Sequence, residues 1–249
     1  MHETQENYTF SVVIPAHNEE RYIGSCLQAI RRASKEVPGH RVQMIVVANR
    51  CTDRTEEIAR WCGAEVVQDD TKCISSVRNA GARAAKGRIL VTIDADSRMS
   101  EGALQEILEL IDSGDYIGGG SPFRFERMSL GILCSGLYVG LNLLPIMKRN
   151  GGMLSGAMFW CRKADFDCIG GFDETLVSLE DMDFASRLKA HGERQGKRYG
   201  TLKRSYIVTS SRKFDEFGDW YLIRNRKLTK EIFTGKNRKA ADHFYYNVR

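Results

Sequence analysis

Two aspartates one residue apart, Asp94 and Asp96, close the apolar run Ile89–Ile93. That run is short and rich in β-branched residues, as buried strands are. Side chains alternate along a strand, so the two carboxylates converge only if the backbone turns at Asp94. In an open α/β sheet such a turn lies beyond the carboxyl end of a strand, where ligands bind. Two acids there repel each other unless a cation sits between them. Hard carboxylate oxygens select Mg²⁺ or Mn²⁺, and either ion would also hold a diphosphate. The competing reading is a strand-to-helix turn whose acids cap the next helix, since a motif this short matches often by chance. A second acidic group, Glu180, Asp181 and Asp183, stands at the start of another helical pattern. Acids in a first turn suit the helix dipole and need no further role.

The elements that would position these groups alternate along the chain. Phe10–Ile14 reads as a strand broken by Pro15, and Asn18-Glu19-Glu20 opens a helix with Tyr22, Ile23, Cys26, Leu27 and Ile30 on one face. Val42–Val47 is a second buried strand. Thr52-Asp53 caps a helix through Ile58 and Trp61 that Gly63 closes. Ala64–Val67 is a third strand, Ser75–Ala85 a small-residue helix, and Ser100–Ile111 an amphipathic helix after the Asp94–Asp96 strand. This alternation predicts an α/β chain with a mostly parallel, doubly wound sheet over residues 10–113. Beyond it, Tyr116–Phe125 and Ala157–Cys161 read as strands. Helices follow at Ser178–Gly192 and, strongly basic, at Asp219–Thr234, with a strand at Ser205–Ser211 between them. Leu130–Met147 is apolar and near the lower length limit of a membrane span. Ser135, Asn142 and several glycines argue against a span, leaving a buried helix, a lid or a helix lying in the membrane interface.

The chain has 249 residues, enough to bury a sizeable core, and an ordinary globular composition. Its seven cysteines show neither paired nor zinc-ligand spacing and fit a reducing compartment. The polar, acidic start is unlike a signal peptide, so a cytoplasmic location is expected. Charge is uneven: residues 193–249 carry 15 Lys and Arg against 6 Asp and Glu, while the rest has a deficit of four positive charges. A basic C-terminal fifth attracts phosphates or an anionic membrane surface. No nucleic-acid module accompanies it, so nucleic acid is not expected as a partner.

Six segments taken in order resemble family 2 glycosyltransferases of the GT-A fold: Ser11–Glu19 (SVVIPAHNE), Val46–Asp53 (VVANRCTD), Ser75–Gly81 (SSVRNAG), Asp94-Ala-Asp96, Ser155-Gly156 and Glu180-Asp181. Each is weak alone, and it is their shared order over residues 10–192 that carries the resemblance. It implies one GT-A domain over residues 1–249, with a Rossmann-like, mostly parallel sheet flanked by helices. Residues 10–120 would bind nucleotide-sugar, 121–192 would face the acceptor and supply catalysis, and 193–249 would be a basic C-terminal extension on the acceptor side.

By the same resemblance, Pro15, Ala16 and Glu19 border the nucleotide base and ribose. The acid pair that relatives often carry after the second strand is Ala48 and Asn49 here, so base contact would rest on Asn49 and backbone. Arg78 and Asn79 match an Arg-Asn element beside the nucleotide. Asp96 and Asp94 match the metal and nucleotide-sugar motif, with Asp94 also toward ribose. Arg98 stands where some relatives carry a further ligand, and it cannot ligate a metal. Gly151, Gly152, Ser155 and Gly156 would let backbone approach the donor sugar, with Asp183 on the acceptor side. Of the acid pair, Asp181 is the expected catalytic base, with Glu180 and Asp183 as alternatives within the same turn. A carboxylate that takes the acceptor hydroxyl's proton would drive inverting transfer, and a divalent ion would stabilise the departing diphosphate. Arg212 and Lys213 would reach that diphosphate, or else be plain surface charges.

The expected reaction is metal-dependent transfer of a sugar from a nucleoside-diphosphate donor to a hydroxyl acceptor. Trp220–Arg226 lacks the Gln-x-x-Arg-Trp element of processive relatives, which favours single transfer. The apolar Leu130–Met147 and the basic tail add an expected peripheral site on the inner face of the membrane and a lipid-linked acceptor. Two rivals share the sheet: a non-catalytic nucleotide-sugar-binding or scaffold protein, and a nucleotidyltransferase. The second lacks a glycine-rich triphosphate loop.

Overall fold

A computed structural model describes residues 8–149, 157–176 and 179–233, with side chains except at 143–149 and 230–233. The first elements are β1 (Phe10–Ala16), α1 (Ile23–Lys35), β2 (Val42–Ala48), α2 (Thr55–Trp61), β3 (Glu65–Gln68), α3 (Ile74–Ala84) and β4 (Ile89–Ile93). Then come β5 (Ser97–Met99), α4 (Ala103–Asp112), β6 (Tyr116–Gly120), β7 (Phe123–Phe125), α5 (Leu130–Arg149), β8 (Met158–Arg162) and α6 (Lys163–Cys168). The chain continues through α7 (Glu180–Glu193), β9 (Arg198–Thr201), β10 (Ile207–Thr209), α8 (Arg212–Phe217), α9 (Tyr221–Arg224) and α10 (Arg226–Phe233).

Seven strands form the main sheet in the order β3-β2-β1-β4-β8-β6-β9. Only β8 runs against its neighbours β4 and β6, so the sheet is mostly parallel, as the alternating pattern predicts. Alternation along β1 sends Phe10, Val12 and Ile14 to the layer packed by α1 and α4, while Val13 faces the layer under α3 and α7. Burial on both faces is why the parallel strands read as continuous apolar runs. One glycine sets the distance of α3 from the sheet. A Cβ on Gly81 would lie 2.3 Å from Val13 Cγ1, so only glycine lets the helix carrying Arg78 come this close.

A second sheet, β5-β10-β7, flanks the end of β4. The single strand expected over Tyr116–Phe125 divides between the two sheets. β6 enters the main sheet through glycines that fit against β9, where a Cβ on Gly119 would sit 2.2 Å from the Gly200 carbonyl oxygen. Pro122 has no N–H to extend that ladder, and β7 turns away to pair with β10. The segment read as an extension is therefore built into both sheets, through β9 and β10. The expected basic helix over Asp219–Thr234 breaks at Asn225, whose φ of −105° and ψ of 50° are not helical. The helix expected to open at Asn18 begins at Ile23. Asn18 instead takes a left-handed φ of 51° and accepts a bond from the Thr52 N–H, tying the end of β1 to the loop before α2.

Candidate active site

β4 ends at the Asp94-Ala-Asp96 turn, closed by a bond from the Ser97 N–H to the Asp94 carbonyl. Ala95 is buried between the two acids. The Asp94 N–H donates to the Ala157 carbonyl, and the Asp96 carbonyl accepts from the Ser210 N–H. The turn is thus fixed from both sides, by β8 and by the strand β10 that follows it in space.

Each aspartate faces a different arginine. Arg78 on α3 donates through Nη2 to Asp94 Oδ1 (3.2 Å) and through Nη1 to Glu180 Oε1 (2.7 Å). One buried fork thereby joins the end of β4 to the start of α7. Its guanidinium lies over the rings of Phe159 and Phe172, two members of the aromatic cluster beneath α7, which fixes its plane. Arg212 at the start of α8 donates through Nη1 and Nη2 to both oxygens of Glu19 (2.6 and 2.7 Å) and through Nη2 to Asp96 Oδ2 (2.8 Å). In both arginines Nε is buried with no hydrogen-bond partner.

α7 starts from Leu179 in a left-handed conformation, φ 64°. Glu180 and Asp181 follow directly. Asp181 Oδ1 accepts from the Met182 N–H. Burial first, and then the neighbouring charge of Glu180, push its carboxyl up to about 6 against the pull of Arg78. Asp183 points into a different interaction: its Oδ2 accepts from Arg187 Nε (2.7 Å), and Arg187 in turn holds the Ile169 carbonyl. Within the turn, Glu180 and Asp181 therefore belong to the Arg78 group and Asp183 is engaged in a helix-surface ion pair.

At the end of β1, Pro15 and Ala16 are buried, and the Ala16 carbonyl accepts from the Asn49 N–H. The Asn49 side chain is occupied: Nδ2 donates to the carbonyls of Asp69 (2.6 Å) and Thr71 (2.8 Å). It braces the loop between β3 and α3 rather than presenting its donors to a base. Asp69, on that loop, is the acidic group the structure sets beside Asn49, and the motif pattern alone did not single it out. Asn79 is also structural, bonding the Phe172 backbone through both ends of its amide. Arg98 pairs with Glu126, away from Asp96. Gly151, Gly152, Ser155 and Gly156 lie outside the described residues.

A divalent ion is the group the Asp94–Asp96 turn suggests. The donor chemistry fits: five carboxylates, Glu19, Asp94, Asp96, Glu180 and Asp181, share two guanidinium groups. Among the described residues no three such side chains already converge as a metal cage. An ion held here would take one or two carboxylates and complete its shell with substrate phosphates and water.

Known proteins resemble this chain in sequence and in fold. A family model described as glycosyl transferase family 2 matches residues 11–170. Glycosyltransferase AglE of Haloferax volcanii is 25% identical over 186 residues, covering 71% of this chain and 60% of AglE. A dolichyl-phosphate hexose transferase of the same organism is 34% identical over 116 residues, covering 45% of this chain and 49% of that protein. The chain thus spans less than two thirds of the length of these relatives. Among solved structures, S. aureus TarS 1–349 in complex with UDP-GlcNAc matches with a TM-score of 0.59 at 18% identity, covering 96% of this chain and 71% of TarS 1–349. Mycobacterium tuberculosis glucosyl-3-phosphoglycerate synthase, in complex with Mn²⁺, UDP and glucosyl-3-phosphoglycerate, matches with a TM-score of 0.61 at 20% identity. That match covers 90% of this chain and 80% of the synthase chain. At these identities the likeness is one of fold, and the fold is GT-A.

Proposed function

This chain belongs to glycosyl transferase family 2, and we propose on that footing that it transfers a sugar from a nucleoside-diphosphate donor to a hydroxyl acceptor with inversion. The observation that carries this reading is the Arg78 fork. It joins the turn at the end of β4 to the start of α7, so that Asp94 and Glu180 share one guanidinium, and this supports reading the two acidic groups as parts of one site. The donor diphosphate would lie at Asp94 and Asp96, with the nucleoside toward Pro15, Ala16 and the loop that Asn49 braces. When bound there, Mn²⁺ or Mg²⁺ would neutralise charge on the departing diphosphate.

The transfer itself is a single displacement. The acceptor oxygen attacks the anomeric carbon, the bond from that carbon to the diphosphate oxygen breaks, and the electron pair leaves with the diphosphate. Asp181 takes the acceptor proton. A carboxylate raised to about 6 is still mostly ionised at neutral pH, yet is more basic than an ordinary aspartate. Glu180, held by Arg78, orients the site rather than moving the proton.

Donor binding is tested by thermal shift with nucleoside diphosphates and their sugars, with and without Mn²⁺. At about 100 times its dissociation constant, the right donor adds roughly 2.7 kcal/mol of stability. The expected result is a Mn²⁺-dependent shift for one nucleotide that Asp96→Ala abolishes. No shift with any nucleotide would overturn the reading.

The acceptor side of the proposal is a lipid-linked hydroxyl at a membrane surface. Leu130, Leu133, Leu137 and Leu141 lie within one narrow arc of α5 and are 57–70% exposed, while Ile132 and Ser135 face inward. A helix with its outward face this apolar suits an interfacial position. Arg224, Arg226 and Lys227 are exposed on the helices beside it, and Arg226 lies over Tyr138 of α5. Such cations favour an anionic lipid surface. Among the described residues no helix is long and apolar enough to cross a membrane. The protein should float with phosphatidylglycerol vesicles but not with phosphatidylcholine vesicles, and a Leu133→Gln, Leu137→Gln variant should stay behind. Failure to float, or concentration-dependent dimers dissolved by the same variant, would assign the leucine face elsewhere.

A further inference from the structure

Arg212 does more than the sequence position implies. Its guanidinium is bidentate to Glu19 and shares Nη2 with Asp96, in a setting where the side chains of Arg212, Glu19 and Asp96 are only 10%, 2% and 15% exposed. It also lies 5.1 Å from the centre of the Tyr22 ring. The backbone around it is anchored. β10 pairs antiparallel with β5, Thr209 opposite Ser97, and the Ser210 N–H bonds the Asp96 carbonyl. Ser211 Oγ accepts from the Arg127 N–H and donates to its carbonyl. Arg212 is therefore delivered to Asp96 by the second sheet.

We propose that Arg212 is the resident cation of the donor site: it occupies Asp96 while no metal is bound, and a divalent ion must displace it from Asp96 to bind. This rests on the reading of Asp96 as a metal ligand. A divalent ion binds a carboxylate oxygen at about 2.0–2.2 Å, and the guanidinium nitrogen stands 2.8 Å from that same oxygen. Asp96 Oδ1 has only a 3.4 Å contact with Ser97 Oγ, so the competition is for Oδ2. An ion that binds Oδ2, or both oxygens of Asp96, cannot share it with Arg212 at those distances without strong repulsion. An ion on Oδ1 alone would leave Arg212 in place and give equal affinity in the variants below. Release is local, because the bond to Asp96 can break while both bonds to Glu19 remain. The exchange frees one Nη2–H. The freed Nη2–H on a positive group is then available to an anionic ligand oxygen, so the displaced arginine becomes a positioning residue for the diphosphate. The metal requirement and the arginine are thereby coupled: a weakly bound ion in the empty site, and a firm one once phosphate oxygens compensate Arg212.

The test is Mn²⁺ binding to the protein without nucleotide, read as loss of the free-ion electron paramagnetic resonance signal. Arg212→Gln removes the competitor, and Mn²⁺ should bind about tenfold or more tighter than to the unaltered protein. Arg212→Lys keeps the charge, but one ammonium cannot serve Glu19 and Asp96 together, so binding should tighten there too. Adding Asp96→Asn to either variant should abolish the gain. Tightening in Arg212→Gln alone, with Arg212→Lys like the unaltered protein, would reduce the effect to general field and overturn displacement. So would equal affinity in all three. Mn²⁺ that binds none of them, even with a nucleoside diphosphate present, would instead overturn Asp96 as a ligand. Arg212→Lys also serves if Arg212→Gln does not fold, because it retains the pair with Glu19.

Discussion

Asp181→Asn should lower kcat by about 10²- to 10⁴-fold, the range general-base catalysis contributes, and leave donor affinity within about twofold. Asparagine keeps the shape and an oxygen for the Met182 N–H, but it cannot accept a proton. The same substitution should stabilise the fold rather than weaken it. Asp181 carries its charge at a cost, from burial and from Glu180, which is what holds its pKa near 6. Between about pH 4 and pH 6 the native protein keeps a proton that the unfolded chain has already lost, so stability falls as pH rises through that window. Above it the full cost is present, and Asp181→Asn removes it. The variant should therefore melt higher than the unaltered protein at pH 8 and alike at pH 4. Activity of the unaltered enzyme should climb with pH through about 6 and then level, a limb missing from the variant's residual rate. Loss of rate together with a gain in melting temperature identifies a group held ready for chemistry, since a residue serving only the fold would lose both. A variant that kept a tenth or more of the rate would move the base to Glu180.

The carboxyl end of β4 was legible because its signal is local. Five apolar residues and two acids lie within eight positions, and the strand periodicity and the turn follow from them. The same holds for α1, α3 and α4, whose buried faces repeat within one helix. The start of α7 was legible only in part. Its three acids are visible in sequence, but which of them points inward depends on Arg187 taking Asp183 and Arg78 taking Glu180. The second sheet was legible only in part: the strand read at Ser205–Ser211 contains β10 and the one read at Tyr116–Phe125 contains β7, but β5 and the pairing of the three were not. β5, β7 and β10 are three residues each, too short for periodicity to speak, and their pairing joins segments far apart in the chain. Arg212 lies beyond local reading for the same reason, since it meets Glu19 across 193 residues. The break between α9 and α10 depends on a single non-helical asparagine inside a pattern that otherwise continues. Asn49 shows the remaining gap: it stands directly after β2, where the sequence puts it, yet the donors of its side chain are spent on the neighbouring loop.

Arg78→Met should be the most damaging substitution in the site, because it strands charges that were buried as a set. Glu180 and Asp94 lose their shared partner, and Asp181 loses the cation that lowers its pKa. Breaking a buried pair from one side costs about 3–5 kcal/mol. Asp94 is 36% exposed and recovers hydration, which trims the cost to roughly 2–4 kcal/mol. In a chain of this size each kcal/mol moves the midpoint by about 2–4 °C, so Tm should fall by roughly 5–15 °C. Lysine should not rescue it, because a single ammonium cannot bridge Asp94 and Glu180 in the way the planar fork does. A structural role alone would end there. If Arg78 also tunes the base, removing it lets the Asp181 carboxyl rise further above 6, and the ascending limb of the pH–rate profile moves to higher pH. The stability deficit should then widen with pH over the same interval, since ionising Asp181 in the fold has become costlier. Adding Glu180→Gln to Arg78→Met removes the nearest repelling charge, and should recover part of the melting temperature and return the limb toward its original position. A limb unmoved by Arg78→Met would separate Arg78 from the proton transfer and leave it as the bolt between β4 and α7.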